Sequence, residues 1–180
     1  MDKAYAIVIS TNTGLWRYLI GDTIKFTSIS PFRIKIVGRT KSFINAFGEE
    51  LVIENAENAI QEACKKSNAT IKEFTAAPLY INEENSGAHQ WLVEFEQQPN
   101  DLNIFTKELD SFLQNLNSDY KAKRTNDLIL KLPKVQEVKK GTFYNWLKKK
   151  GKLGGQNKVP RLSNNRELIQ EILALTKKTY

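Results

Sequence analysis

FRIKIVGRTKSFINAFGEELVIENAENAIQEACKK, residues 32–66, changes its period halfway along. Phe32, Ile34 and Ile36 alternate with Arg33 and Lys35, the two-residue repeat of a half-buried strand. Gly38-Arg39-Thr40-Lys41 breaks that alternation, and Phe43 to Gly48 reads as a short strand ending in a glycine turn. From Glu49 the apolar residues fall three and four apart, at Leu51, Ile53, Ala56, Ala59, Ile60 and Ala63. One face of a helix reaching Lys66 is therefore apolar. Acids at Glu49, Glu50 and Glu54 and lysines at Lys65 and Lys66 suit the dipole of that helix.

Upstream, Tyr5 to Ser10 and Trp16 to Ile20 flank Thr11-Asn12-Thr13-Gly14 and read as a hairpin, continued by Thr23 to Thr27. The first 40 or so residues are thus expected to form an antiparallel sheet. Downstream, strands Phe74 to Ile81 and Gln90 to Phe95 are joined by the loop-forming Asn82 to Gly87. A helix from Leu102 to Lys123 follows, its apolar side carried by Phe105, Leu109, Phe112 and Leu113. Leu128 to Leu132 is a third strand, with Val135 to Val138 as a candidate extension past Pro133, and helices are expected over Thr142 to Lys150 and Arg166 to Thr176. This order gives an α+β fold, a small mixed sheet with helices on its faces, preceded by a short antiparallel β segment. The chain shows no internal repeat.

At 180 residues, with 41% hydrophobic and 26% charged, the chain can bury one ordinary core, or a small domain plus a remnant of another. No apolar stretch approaches the roughly 18 residues of a membrane-spanning helix, and Met1 to Ser10 is too short and mixed for a secretory signal. The expected compartment is the cytoplasm, with no membrane partner. One cysteine makes no internal disulfide, and with one histidine it builds no cysteine/histidine zinc site, so Cys64 reads as a small apolar filler. The net charge of +7 suggests an acidic partner: a nucleotide phosphate, a nucleic acid, or an acidic face of another domain. The excess is concentrated between Lys131 and Arg161, where Glu137 is the one acid. A solvated surface and a phosphate-binding or docking surface both fit such a run, and Phe143, Tyr144 and Trp146 within it keep a nucleic-acid-binding module as a second reading.

Residue chemistry alone yields few candidates. The sequence has no standard glycine-rich phosphate loop, no serine nucleophile elbow and no metal-ligand cluster. Gly154-Gly155 followed by Lys158 could bring backbone amides and an ammonium to one anion. His89 has no acid or nucleophile beside it in sequence and reads as structural, and Trp16, Trp91 and Trp146 read as core or half-buried residues.

Four segments, in order, carry a family resemblance. Gly14-Leu15-Trp16-Arg17-Tyr18-Leu19-Ile20-Gly21-Asp22 resembles a segment of the auxin-responsive (Gretchen Hagen) acyl-acid amido synthetases and their bacterial relatives. Gly38-Arg39-Thr40-Lys41 through Phe47-Gly48-Glu49-Glu50 resembles the hinge-and-glycine motif of the wider adenylate-forming superfamily. Leu116-Asn117-Ser118-Asp119-Tyr120 with Arg124 resembles the amido synthetase signature leucine-asparagine-x-x-tyrosine-x-x-x-arginine. Gly141-Thr142-Phe143 and Gln156 to Arg161 resemble that family's closing segment. Together they span Gly14 to Arg161.

The resemblance implies an enzyme in which a carboxylic acid attacks the α-phosphate of ATP and the resulting acyl adenylate is passed to an amine, such as an amino acid. The implied cofactors are ATP and Mg2+ in the full-length enzyme, with neither held tightly by this chain alone. Residues 1–40 are then a strip of a large N-terminal adenylation domain whose remainder is missing, and residues 41–180 are the mobile C-terminal domain. Nucleic acid is not an expected partner on this reading. Asp22 matches an aspartate that accepts hydrogen bonds from both ribose hydroxyls, and Arg39 a position that contacts the ribose. Lys41 matches the hinge about which the C-terminal domain swings. Lys158, with Lys152 as a competitor, corresponds to the lysine that reaches the α-phosphate. The isolated chain, lacking the phosphate loop and the acyl pocket, is expected to be inactive.

Overall fold

The computed structural model describes residues 3–39, 42–81, 86–154 and 157–177. Its first sheet is an antiparallel meander of β1 (Ala4–Ile9), β2 (Tyr18–Ile29) and β3 (Phe32–Arg39). The turn between β1 and β2 closes with the Thr11 amide donating to the Leu15 carbonyl at 2.8 Å. Gly14 sits there at φ 110°, a conformation glycine adopts without penalty. The two strands expected over Trp16 to Thr27 are one strand, and Trp16 lies ahead of it, 81% exposed rather than in a core.

The second unit begins with the short pair β4 (Phe43–Ile44) and β5 (Leu51–Val52). Helix α1 (Ile53–Ser67) starts four residues later than its periodicity suggests, because Leu51 is fully buried as the strand partner of Ile44. The helix ends at Asn68, whose left-handed backbone (φ 56°) lets its amide donate to the Cys64 carbonyl. Next come β6 (Thr70–Tyr80) and the antiparallel β7 (Gly87–Gln97), with the parallel β8 (Lys134–Glu137) on the far side of β7.

Alternation along these strands feeds two cores. Phe74, Trp91, Val93 and Phe95 pack with Ala56, Ala59, Ile60 and Ala63 of α1 and with Phe105, Leu109 and Leu113 of α2 (Leu102–Leu116). Ala77 and Leu92 point the other way, toward Phe143 and Trp146 of α4 (Thr142–Lys149) and Leu168, Ile169 and Ile172 of α5 (Glu167–Lys177). The result is the expected α+β body, a small mixed sheet with helices on both faces. Cys64 is a buried member of the first core.

Two segments depart from expectation. The helix foreseen from Leu102 to Lys123 breaks at Asn117 into α2 and α3 (Ser118–Arg124). Asn117 is extended (φ −139°), and its side-chain oxygen accepts from the Tyr120 amide at 2.8 Å, the ordinary work of an N-cap. The strand foreseen at Leu128 to Leu132 is irregular chain carrying a single bridge, Leu130 to Gly87, and it follows a 3-10 turn over Thr125–Asp127. Arg124 enforces that course, its guanidinium donating to Asp127 and to the Leu130 carbonyl and curling the chain back. Regular pairing resumes only at β8.

Arg124 also clamps Asp110 of α2, donating through Nε at 2.7 Å and NH2 at 2.9 Å, while the Tyr120 hydroxyl donates to the same carboxylate at 2.8 Å. Fixed beside Asp110, the guanidinium is held charged beyond its ordinary range, and burial and the Asp110 charge push the Tyr120 phenol well up. Removing one partner of such a near-buried pair leaves the other uncompensated. Arg124→Met is expected to lower stability by about 3 kcal/mol, and Arg124→Met with Asp110→Asn by clearly less. Urea unfolding of the three proteins checks this, and equal losses in single and double variants would contradict it.

Candidate functional site

The two residues matched to ribose contacts come together in the first sheet, where Asp22 on β2 and Arg39 on β3 are register partners across the strand pair. Asp22 is half-buried and already engaged within the protein. Lys41 lies outside the described residues, between the end of β3 and the start of β4.

Lys158 sits elsewhere. It is exposed and makes no hydrogen bond or ion pair among the described residues, and Lys152 is likewise exposed. The chain just beyond Lys158 is firmly held. Val159 is buried in the second core, the Thr75 hydroxyl donates to the Pro160 carbonyl at 2.7 Å, and the Ala76 amide donates to the Arg161 carbonyl at 2.8 Å. Leu162 then bridges Ala76 in parallel fashion. Lys158 therefore stands where a glycine-containing loop joins a segment annealed to β6.

The basic run looks different in space than in sequence. Lys140 pairs with Glu96 at 3.2 Å, Lys150 with Glu171 at 2.7 Å, and Arg161 with Glu73 while lying 4.5 Å from the Phe74 ring centroid. Burial lowers the pKa of Arg161 even though Glu57 opposes it. Of the three aromatic residues in the run, Phe143 and Trp146 are buried and only Tyr144 is exposed. A row of stacking platforms for bases is not formed there.

His89 does have an acid beside it, supplied from 40 residues upstream. Its Nε2 donates to Glu49 Oε1 at 2.8 Å, with both side chains fully buried. The donor assignment follows from the carboxylate being acceptor-only. The second oxygen of Glu49 accepts from the Phe47 amide at 2.7 Å. Burial alone pushes the Glu49 carboxyl up, but the His89 hydrogen bond and charge together with the two amides outweigh it and hold the pKa below the ordinary value. This pair fixes the loop between β4 and β5. Asn117 Nδ2 ties the same loop down by donating to the carbonyls of Glu49 at 3.0 Å and Glu50 at 3.2 Å, and the Asn45 amide donates to Asn164 Oδ1 at 2.7 Å. Gly48 adopts φ 82° within it, under the Lys123 ammonium.

Glu94 is, with Glu49 and Asp110, a buried acid that sequence reasoning passed over. It accepts from the amides of Gly141 at 2.8 Å and Phe143 at 3.2 Å and so caps α4 from a distant strand. Its place in the alternation of β7, a charged residue flanked by Val93 and Phe95, was the available signal.

Residues 54–167 match the sequence profile of the GH3 family C-terminal domain, and residues 1–39 that of the GH3 family central domain. The chain belongs to the GH3 family. The indole-3-acetic acid-amido synthetase GH3.4 of Arabidopsis thaliana is 24% identical over 173 residues, covering 88% of this chain and 28% of that protein. The solved structure of the GH3.15 acyl acid amido synthetase matches with a TM-score of 0.74 at 20% identity, over 95% of this chain and 32% of that chain. AtGH3.15 in complex with 2,4-DB matches with a TM-score of 0.70 at the same identity and coverage. These two likenesses establish a GH3 fold for the chain. The chain spans about a third of the length of the relatives it matches.

Because the pKa of Glu49 is lower in the folded state than its ordinary 4.5, its contribution is fully present above that value and is lost as pH falls through the folded value. Glu49→Gln is expected to cost about 1–3 kcal/mol at neutral pH and to flatten the acid limb of stability below pH 4.5. Urea midpoints measured across that range check the sign; an unchanged acid limb would show that Glu49 is not the group being titrated.

Proposed function

We propose that this chain is the C-terminal portion of an ATP-dependent acyl-acid amido synthetase, which activates a carboxylic acid as an acyl adenylate and transfers the acyl group to an amine. On this reading residues 1–40 belong to the large adenylation domain and 41–180 form the mobile domain. The observation that carries it is the uncovered apolar face of the first sheet. Tyr5, Ile34, Ile36 and Phe32 are all about half exposed or more, and only Ile24 is buried among residues 3–38. A soluble protein rarely leaves so continuous an apolar face in water, and an upstream domain of the same polypeptide is the partner that would cover it.

Asp22 and Arg39 fit a ribose contact by their placement. They stand side by side at the end of a strand pair, one with two acceptor oxygens for two hydroxyls and the other with a fork of donors. Lys158, without a hydrogen-bond or ion-pair partner among the described residues and next to an anchored segment, would supply positive charge to the α-phosphate as negative charge grows there. Lys41, between two strands that belong to different sheets, would serve as the hinge, a role defined by backbone rotation more than by its side chain. Mg2+ would arrive with the nucleotide, its usual mode of binding. No helix among the described residues is long and apolar enough to cross a membrane, and the cytoplasm is the compartment this reading assigns.

The test separates the two half-reactions. The 180-residue chain alone should show no ATP–pyrophosphate exchange with any carboxylic acid, and robust exchange would overturn the fragment reading. In the full-length enzyme, Asp22→Asn should weaken ATP binding and slow adenylation together, by roughly 10- to 100-fold. Lys158→Ala should slow adenylation about 10²- to 10³-fold, well beyond its effect on ATP binding, and leave consumption of preformed acyl adenylate near normal. Lys41→Pro should do the reverse by fixing one backbone angle at the hinge. Equal losses in both steps for Lys158→Ala, or an unimpaired transfer step for Lys41→Pro, would remove the assigned role.

A further inference from the structure

A cleft of about 300 Å³ lies where α2, α3 and the chain at Leu132 meet, and none of Asp22, Arg39 and Lys158 lines it. That volume stands at the lower end of small-molecule sites, roughly 300–1,000 Å³, and so suits a compact ligand. Lys107, Asp110, Ser111, Gln114 and Asn115 come from α2 and Lys121 from α3. The α2 residues recur three and four apart and so share one helix face, while Phe105, Leu109 and Leu113 of the same helix turn to the core.

Asp110, the one acid in the lining, has no accepting capacity left. A carboxylate offers about four lone-pair sites. Oδ1 accepts from the Tyr120 hydroxyl and Arg124 Nε, and Oδ2 from Arg124 Nη2 and, at 2.9 Å, from Gln114 Nε2. Its negative charge is met by the same guanidinium. The rim has the opposite balance. Lys107, Ser111, Asn115 and Lys121 are exposed, and none of their side chains has a hydrogen-bond or ion-pair partner among the described residues. Two ammonium groups, a hydroxyl and a carboxamide thus line one space with their donors unspent.

A saturated carboxylate below and unspent donors above complement an anion rich in acceptors. A phosphate monoester carries about −1.5 to −2 charge near neutral pH on three strong acceptor oxygens, and lysine binds phosphate well as a point charge. We propose that this cleft binds the phosphoryl group of a compact phosphate monoester. Lys107 and Lys121 supply the positive charge, Ser111 and Asn115 donate to the oxygens, and the organic part lies toward Leu132. With one lysine from each helix, the anion spans the break at Asn117 that separates α2 from α3.

Binding to the 180-residue chain tests the site without any turnover. Glycerol 3-phosphate, added at constant ionic strength and followed by amide chemical shifts, should perturb Ser111, Asn115 and Lys121 saturably in the millimolar range. Inorganic phosphate should move the same amides, whereas glycerol and sodium chloride should not. Lys107→Ala and Lys121→Ala should each weaken glycerol 3-phosphate about tenfold and, because both lysines are exposed, leave the thermal midpoint within a few degrees. Lys148→Ala removes the same charge from an exposed position on α4 and should leave the affinity unchanged. Equal weakening by Lys148→Ala, the same shifts with chloride, or binding of inorganic phosphate without binding of the ester would overturn the proposal. So would the absence of saturable shifts in the unaltered chain, whatever the variants do.

Discussion

Strand β7 is buried on both faces from Gly87 to Phe95, and its carboxylate, amide and imidazole side chains each draw a partner from another element, while His89 Nδ1 and Trp91 Nε1 find none among the described residues. His89 takes Glu49 and with it the loop between β4 and β5. Gln90 donates to Gln136 on β8 at 2.9 Å and accepts from Arg166 at 2.6 Å, while the same guanidinium donates to the Pro78 carbonyl at 2.7 Å, which sets the approach to α5. Glu94 takes the first amides of α4. Three buried polar residues on one strand thus place three peripheral elements. An unpaired polar group in that setting costs more than a satisfied one gains, so the placement is enforced chiefly by the penalty for the alternatives.

That mechanism also marks where sequence reading succeeds and where it stops. The periodicity of residues 32–66 separates strand from helix because burial of one face leaves a local, repeating trace. The break at Asn117 leaves no such trace. Leu102 to Lys123 has one continuous apolar stripe, and the interruption comes from a side chain that caps α3 and reaches the carbonyls of Glu49 and Glu50, far away along the chain. Which partners Glu49 and Glu94 take was illegible for the same reason, since His89 and the Gly141 amide lie 40 and 47 residues distant. Asp22, Arg39 and Lys158 were singled out by pattern likeness, not by local physics. The pairing of Asp22 with Arg39 became visible only when β2 and β3 were aligned.

The first sheet follows a different logic from the body. Its alternation is strong enough to specify strands, with Ile24 opposite Ile36 and Phe26 opposite Ile34 on one face. On that face Phe26 meets Tyr5 at 5.7 Å and Phe32 at 6.0 Å between ring centroids, while Ile34, Ile36 and Phe32 are left exposed. The other face carries Lys25, which reaches the body through a partly exposed ion pair of the sort worth about 0–1 kcal/mol. The apolar side of the first sheet is therefore turned away from the body, and the side that meets α1 is the more polar one.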